Sequence, residues 1–214
     1  YSTETIKVTR FDNDTSDNLN DDSYYLLIKD TSIYSGSTDI SYRVATITLD
    51  GVFDWSNVKY DIGLADYEES FNEDLNSDGT IGFNANNLEL ISTDTFGAGL
   101  KRDSIDGGIY LSVSDIDYKI EDEYGYSSLE YSSSWEEGSY SSVAYAVEEK
   151  SDGSYCLAIK NSSVYYDSQS DTNWTVYSLD ISGTKAIIDW TDTSYSVNIM
   201  DYEDDFGQDL NGDT

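Results

Sequence analysis

One stretch of this chain is written twice, and that duplication limits the folds open to it more than any other feature. Residues 66–79 read DYEESFNEDLNSDG and residues 201–213 read DYEDDFGQDLNGD. The lead-in returns too. YYLLIKD at 24–30 recurs as YCLAIKN at 155–161, YRV at 42–44 as WTV at 174–176, and Asp54-Trp55 as Asp189-Trp190. The offsets are 131, 132 and 135. The copies therefore differ by one residue before Tyr42/Trp174 and three after Gly51/Gly183. Self-similarity over this length, broken only by small indels, marks a tandem array of modules. The boundary falls after Gly82, so 1–82 reads as the C-terminal part of one unit and 83–214 as a second, nearly complete one. Neither terminus coincides with a unit boundary, which suits a window cut from a longer array.

The local pattern is β. Alternation of period two runs through 5–11, 42–49 and 174–181, and 24–29 is a continuous apolar run, as in a strand covered on both faces. Further strands are expected at 88–92, 108–114, 117–123 and 127–132, with a hairpin joining 142–148 to 155–160 through Lys150-Ser151-Asp152-Gly153. The exception in each copy is a short helix. Leu64, Tyr67, Phe71 and Leu75 share one helical face, and Ile199, Tyr202, Phe206 and Leu210 repeat it. Asp66 and Asp201 are the expected N-caps. The expected fold is thus all-β: tandem antiparallel β-sandwich or β-sheet modules, each with one short helix leading into an acidic calcium-type loop.

Composition narrows the partners. There are 43 acidic and 11 basic residues among 214, a net charge of −32. That charge repels nucleic acid and anionic lipid and suits divalent cations. No apolar run is long enough to cross a membrane as a helix. The chain has no histidine, the commonest acid–base catalyst. It also lacks a nucleophile elbow and a Gly-rich phosphate loop. Some carboxylate pair at glycosidase spacing is guaranteed by chance, so an enzyme is not expected. The lone Cys156 reads as a small buried hydrophobe. The 20 tyrosines read mainly as sheet packing.

The chemistry sits in the acidic loops. Asp74, Asn76, Asp78 and the Thr80 carbonyl place oxygens at alternate positions, with Gly79 at the sharp turn and Ile81 free to tuck into the core. Hard oxygens at this spacing select Ca2+. An EF-hand loop closes with a carboxylate where Ala85 stands here, so the missing ligands must come from Glu68, Glu69, Glu73 or a neighbouring segment. Asp209, Asn211 and Asp213 repeat the loop, with Glu203 in the place of Glu68. The acidic stretch 12–22 reads as a solvated loop. Asn13, Asn161 and Asn173 fit the glycosylation pattern.

The segments ExxFxxDLNxDGxIG at 68–82 and ExxFGQDLNGD at 203–213 resemble the end of the tryptophan-rich Synechocystis-type C-terminal domain. WTVYSLDISG at 174–183, followed by Asp189-Trp190, resembles its aromatic segment, and Leu88-Glu89 with Gly108-Ile109-Tyr110-Leu111 its opening. Tyr42 stands where a tryptophan is expected. The resemblance covers 83–214 and the second half of 1–82. It implies a repeat of bacterial, often cyanobacterial, secreted surface proteins, frequently beside calcium-binding repeats.

Two functions follow as expectations. The first is a structural repeat of the cell surface, in a filament, stalk or surface layer, stiffened by Ca2+ at unit junctions and associating with itself or with neighbouring units. The second is an adhesin module that binds glycans, stacking them on Trp135, Trp174 or Trp190.

Overall fold

The computed structural model describes residues 1–11, 23–34, 37–127, 129–165 and 170–211. The acidic stretch 12–22, Asn13 and Asp213 lie outside them. The chain divides into two compact units, Tyr1–Asn84 and Ala85–Thr214. The division falls two residues beyond Gly82.

The first unit is one antiparallel sheet of four strands in chain order: β1 (Ser2–Phe11), β2 (Ser23–Tyr34), β3 (Ser37–Thr48) and β4 (Phe53–Tyr60). Helix α1 (Ala65–Phe71) follows. The period-two pattern sends Tyr25, Leu27, Tyr42 and Val44 to one face, where Phe71 packs on Leu27 and Val44, with Ile62, Leu64, Tyr67 and Leu75 around it. Burying a side chain such as Phe71 contributes about 1.5–3 kcal/mol.

The second unit is a nine-stranded sheet. A meander of β5 (Leu88–Thr93), β6 (Gly99–Asp103), β7 (Ile109–Val113) and β8 (Ile116–Glu121) comes first. Then come β9 (Tyr131–Trp135), β10 (Gly138–Glu149), β11 (Tyr155–Tyr165), β12 (Ser170–Ser182) and β13 (Lys185–Val197). The spatial order is β5-β6-β7-β8-β13-β12-β11-β10-β9. The sheet is not wholly antiparallel, because β8 joins β13 in parallel, Ile120 opposite Ala186. Leu100, Ile109, Leu111 and Ile120 of the meander share one core with Val147, Leu157, Leu179 and Ile188. The opposite face packs under a single 3-10 turn (Ile199–Asp201) and α2 (Glu203–Phe206), through Trp174, Val176, Ile199, Phe206 and Leu210.

The two units share detail beyond strand order. Tyr25, Leu27, Tyr42, Val44, Leu64, Tyr67, Phe71 and Leu75 pack as Cys156, Ala158, Trp174, Val176, Ile199, Tyr202, Phe206 and Leu210 do, at the sequence offsets of 131, 132 and 135. Even an irregularity recurs. The β1–β2 register slips between Thr5 and Lys7, opposite Ile28 and Leu27, and the β10–β11 register slips between Ala144 and Ala146, opposite Ile159 and Ala158. A β-bulge bends and twists its strand, so a repeated bulge repeats the local shape.

Several expectations need correction. Leu64 rather than Asp66 occupies the α1 N-cap, with no side-chain cap bond. In the second copy Tyr202 stands at the α2 N-cap, again with no side-chain cap bond, and Asn198 caps the preceding 3-10 turn, its side chain accepting from the Met200 N–H. Ile81 is exposed rather than tucked into the core. The strand expected at 127–132 forms later, at Tyr131–Trp135. The 24–29 run is not buried on both sides, since Tyr24 stays exposed. Cys156 is a free, buried thiol at the position of Tyr25, as its apolar setting suggested.

Candidate functional site

The loop after α1 is built around one carboxylate. Helix α1 ends at Asn72, which takes the left-handed conformation, and the chain turns back over the helix. That turn brings the loop amides to Glu68, which is fully buried. Its Oε1 accepts the N–H groups of Leu75 at 2.8 Å and Asn76 at 2.9 Å, and its Oε2 accepts that of Gly82 at 2.8 Å. A buried carboxylate holding three donors is a strong anchor. Glu68, expected as an extra ion ligand, holds the backbone of the loop.

Inside this frame the alternating oxygens face the loop's own amides. Asp74 accepts from Asp78 N–H at 3.1 Å and Gly79 N–H at 2.9 Å, Asn76 from Asp78 N–H at 3.0 Å, and Asp78 from Thr80 N–H at 2.8 Å. Thr80 also accepts from the Asn84 amide through its hydroxyl. Gly79 has φ +87°, the left-handed turn that favours glycine. Glu69 lies beside Gly82, and Glu73 pairs with Lys7.

The second loop repeats the anchor. Glu203 Oε1 accepts from Leu210 N–H and Asn211 N–H, both at 3.1 Å. Gly207 stands in the left-handed position of Asn72. Asp209 and Asn211 occupy the places of Asp74 and Asn76 in sequence, and Asp213 lies outside the described residues.

As a cation site, the first loop fits in kind but is incomplete in number. Asp74, Asn76, Asp78 and the Thr80 carbonyl supply four hard oxygens, whereas Ca2+ takes six to eight. Among the described residues, no group of three or more carboxylates, thiols or imidazoles gathers as metal ligands would.

The tryptophans do not form one platform. Trp174 is 4% exposed, edge-on to Tyr145, with Lys160 over its ring. It is a core residue, which corrects its candidacy as a sugar-stacking surface. Trp190 is 40% exposed and packs edge-on against Tyr177, and Trp135 is similarly exposed.

Two features escaped the sequence reading. The first is a polar node present in both units. In the first, Asp30 Oδ1 accepts from the hydroxyls of Tyr1 at 2.8 Å and Thr3 at 2.6 Å, and Arg43 Nε lies 2.8 Å from Oδ2. Burial pushes the Asp30 carboxyl up, but the Thr3, Tyr1 and Arg43 interactions together hold it below its ordinary 3.8. In the second, Asn161 accepts from the hydroxyls of Tyr140 and Ser142 and donates to Thr175 and Asn173. Asn161, one of the glycosylation-pattern residues, is buried in this network. The offset of 139 for Tyr1/Tyr140 and Thr3/Ser142 would have revealed the node, had β1 and β10 been aligned.

The second is a cleft of about 1020 Å³ in the second unit, lined by Glu148, Glu149, Asp152, Asp192, Asp204 and Asp205, with Lys150 the one basic residue in its lining among the described residues. Glu148 is 3% exposed, and its Oε2 has no hydrogen-bond partner among the described residues. Burial, then the nearby Asp94 and Glu149 carboxylates, pushes its pKa up to about 7.

Comparison with family models, with curated proteins and with solved structures returned no match.

Proposed function

We propose that the chain is a structural repeat protein of the extracellular surface, its two units being copies of one module in a filament, stalk or surface layer. One observation carries this reading. The duplication reaches the packing core, the bulge, the polar node and the carboxylate anchor under the loop. A catalytic centre needs one constellation held once. A repeated structural lock suits a unit whose work is to be stacked.

Calcium belongs to the same proposal. Asp74, Asn76, Asp78 and Thr80 would hold the ion at the first loop, with water or a neighbouring module completing the shell. The loop comes where the chain passes from one unit to the next, so an ion bound there stiffens the junction. Its charge also offsets part of the −32. The test is thermal melting and small-angle scattering in calcium and in chelator. We expect a higher melting temperature and a narrower distribution of particle lengths with calcium, and Asp78→Asn should abolish the difference. Identical melts and profiles would refute the role of the ion. Imaging of the native assembly tests the scaffold itself: a filament or layer with a module-length repeat supports it, and dispersed single particles refute it.

The glycan-binding alternative is the weaker one, because Trp174 offers no open ring face.

A further inference from the structure

The duplication exposes a difference between the copies, on the sheet face that the short helix packs against. In the first unit Thr9, Tyr25 and Thr46 lie directly opposite one another across β1, β2 and β3. In the second unit the same row reads Glu148, Cys156 and Ser178 across β10, β11 and β12. Directly opposed residues of an antiparallel pair point to the same face. Glu148 therefore shares the face of Cys156 and Ser178, and all three line the acidic cleft. The exchange acts twice. Cysteine for tyrosine removes a ring that in the first unit packs against Leu27, Val44 and Phe71. Glutamate for threonine aims a carboxylate into the space.

A buried carboxylate oxygen without a hydrogen-bond partner is costly, and the Glu148 Oε2 is one among the described residues. A cation brought to it removes the cost. Lys150 is turned elsewhere: its Nζ donates to Ser178 Oγ at 2.5 Å and lies 3.6 Å from Asp192 Oδ2. The remaining charge also decides which cation fits. Glu148 and Glu149 sit on β10, and Asp204 and Asp205 on α2. Among the described residues these carboxylates do not gather as metal ligands would. A point ion therefore fits poorly, and a cation with its charges spread along a chain fits well. The cleft has the volume of a small-molecule site. Cys156 and Val176 give it apolar surface, and Phe96 and Tyr202 offer rings to a cation.

We propose that this cleft binds a small aliphatic diamine or polyamine, with one ammonium group against Glu148, a second against Glu149, Asp204 or Asp205, and the methylene chain over Cys156 and Val176. The assignment rests neither on calcium nor on the scaffold role. It carries a proton signature. Burial, then the Asp94 and Glu149 carboxylates, push the Glu148 pKa up to about 7. The other ionisable groups around the cleft are Lys150 and Asp152 after β10, Cys156 on β11, Asp192 on β13, and Tyr202, Asp204 and Asp205 at α2. An ammonium group beside Glu148 favours its ionised form, so binding below pH 7 expels its proton.

Isothermal titration calorimetry of the 214-residue chain with 1,5-diaminopentane, in calcium-free buffer, tests it. We expect one site per chain, with affinity about tenfold higher at pH 8 than at pH 6. About one proton should leave per diamine bound at pH 6, read from how the heat varies with the ionisation enthalpy of the buffer. Glu148→Gln should weaken binding at pH 8 at least about tenfold and abolish the proton release. Glu136→Gln, an exposed carboxylate beyond the opposite end of β10, should change neither. Circular dichroism of each variant checks that the fold is intact. Nα-acetyl-lysine methylamide carries the same alkylammonium group with a single charge and should bind at least about tenfold more weakly than the diamine. No binding overturns the proposal, and so do several weak sites that Glu148→Gln leaves untouched. A lysine mimic that binds as tightly as the diamine would assign the cleft to a lysine side chain of a partner protein, and would also overturn it.

Discussion

Transplanting the polar node of the second unit into the first tests whether the two are one structural device. Asp30→Asn alone should leave the Arg43 guanidinium facing a neutral amide. Hydrogen bonds to charged groups contribute about 1.5–3 kcal/mol, and stripping one partner from a buried ion pair costs about 3–5 kcal/mol. The Asp30 and Arg43 side chains retain 12% and 19% exposure, so solvent screens part of that. We expect about 2 kcal/mol for Asp30→Asn, and a similar loss for Arg43→Thr, which orphans the carboxylate. The double variant recreates the Asn161–Thr175 pairing and should cost only about 1 kcal/mol, a coupling of about 3 kcal/mol in a double-mutant cycle. Urea unfolding measures the total, and hydrogen exchange at the Leu27 and Val44 amides assigns it to the first unit. The pH dependence has a definite sign. The folded pKa of Asp30 lies below its ordinary 3.8. The carboxylate therefore stabilises the fold above 3.8, and that contribution is lost as pH falls below 3.8 through the folded value. The cost of Asp30→Asn should vanish in strong acid. Additive single costs, or a cost independent of pH, would refute the shared-node reasoning.

Three other outcomes follow from the structure. Glu68→Gln turns an amide N–H toward the donors of Leu75, Asn76 or Gly82 and should destabilise the first unit by about 2–4 kcal/mol, read as lost exchange protection at those three amides. Glu148→Gln should stabilise the chain by about 2 kcal/mol at pH 8 and do nothing near pH 4.5. The folded value of about 7 exceeds the ordinary 4.5, so native stability falls as pH rises between them and then levels off. Cys156, whose thiol burial pushes up to about 12, should resist alkylation in the native chain and react once urea unfolds it.

The parts of the fold legible in the sequence are those where one apolar face repeats. The helical stripes at Leu64–Phe71 and Ile199–Phe206, and the matching strands at Tyr42 and Trp174, write their burial directly into residue spacing. The helix caps depart from the expectation: Asp66 and Asp201 have the right chemistry, while the entry geometry of the chain places Leu64 and Tyr202 at the N-caps. The parallel β8–β13 join was invisible, since strand direction depends on how the chain returns, not on local pattern. Glu68 was grouped with the loop carboxylates because its charge is the same as theirs. Its burial, which decides its role, comes only from the helix it sits on.

That misreading leads to a broader account of the acidic composition. Asp94 accepts the N–H groups of Phe96, Gly97 and Ala98 through one oxygen and that of Glu149 through the other. Asp122 holds Tyr124 and Tyr126, and Asp103 holds Ile105. Asp54 takes the N–H and hydroxyl of Ser56, and Asp189, at the matching position, takes those of Thr191. In a chain without proline, such side-chain bonds join glycine in fixing the turns locally. A carboxylate that accepts backbone N–H bonds holds its turn best when ionised. Part of the negative charge therefore serves to hold turns rather than to bind a cation. On this view the Asp54 and Asp189 carboxyls, both held below 3.8 by those bonds, should stay ionised well into acid, and their turns should loosen only there.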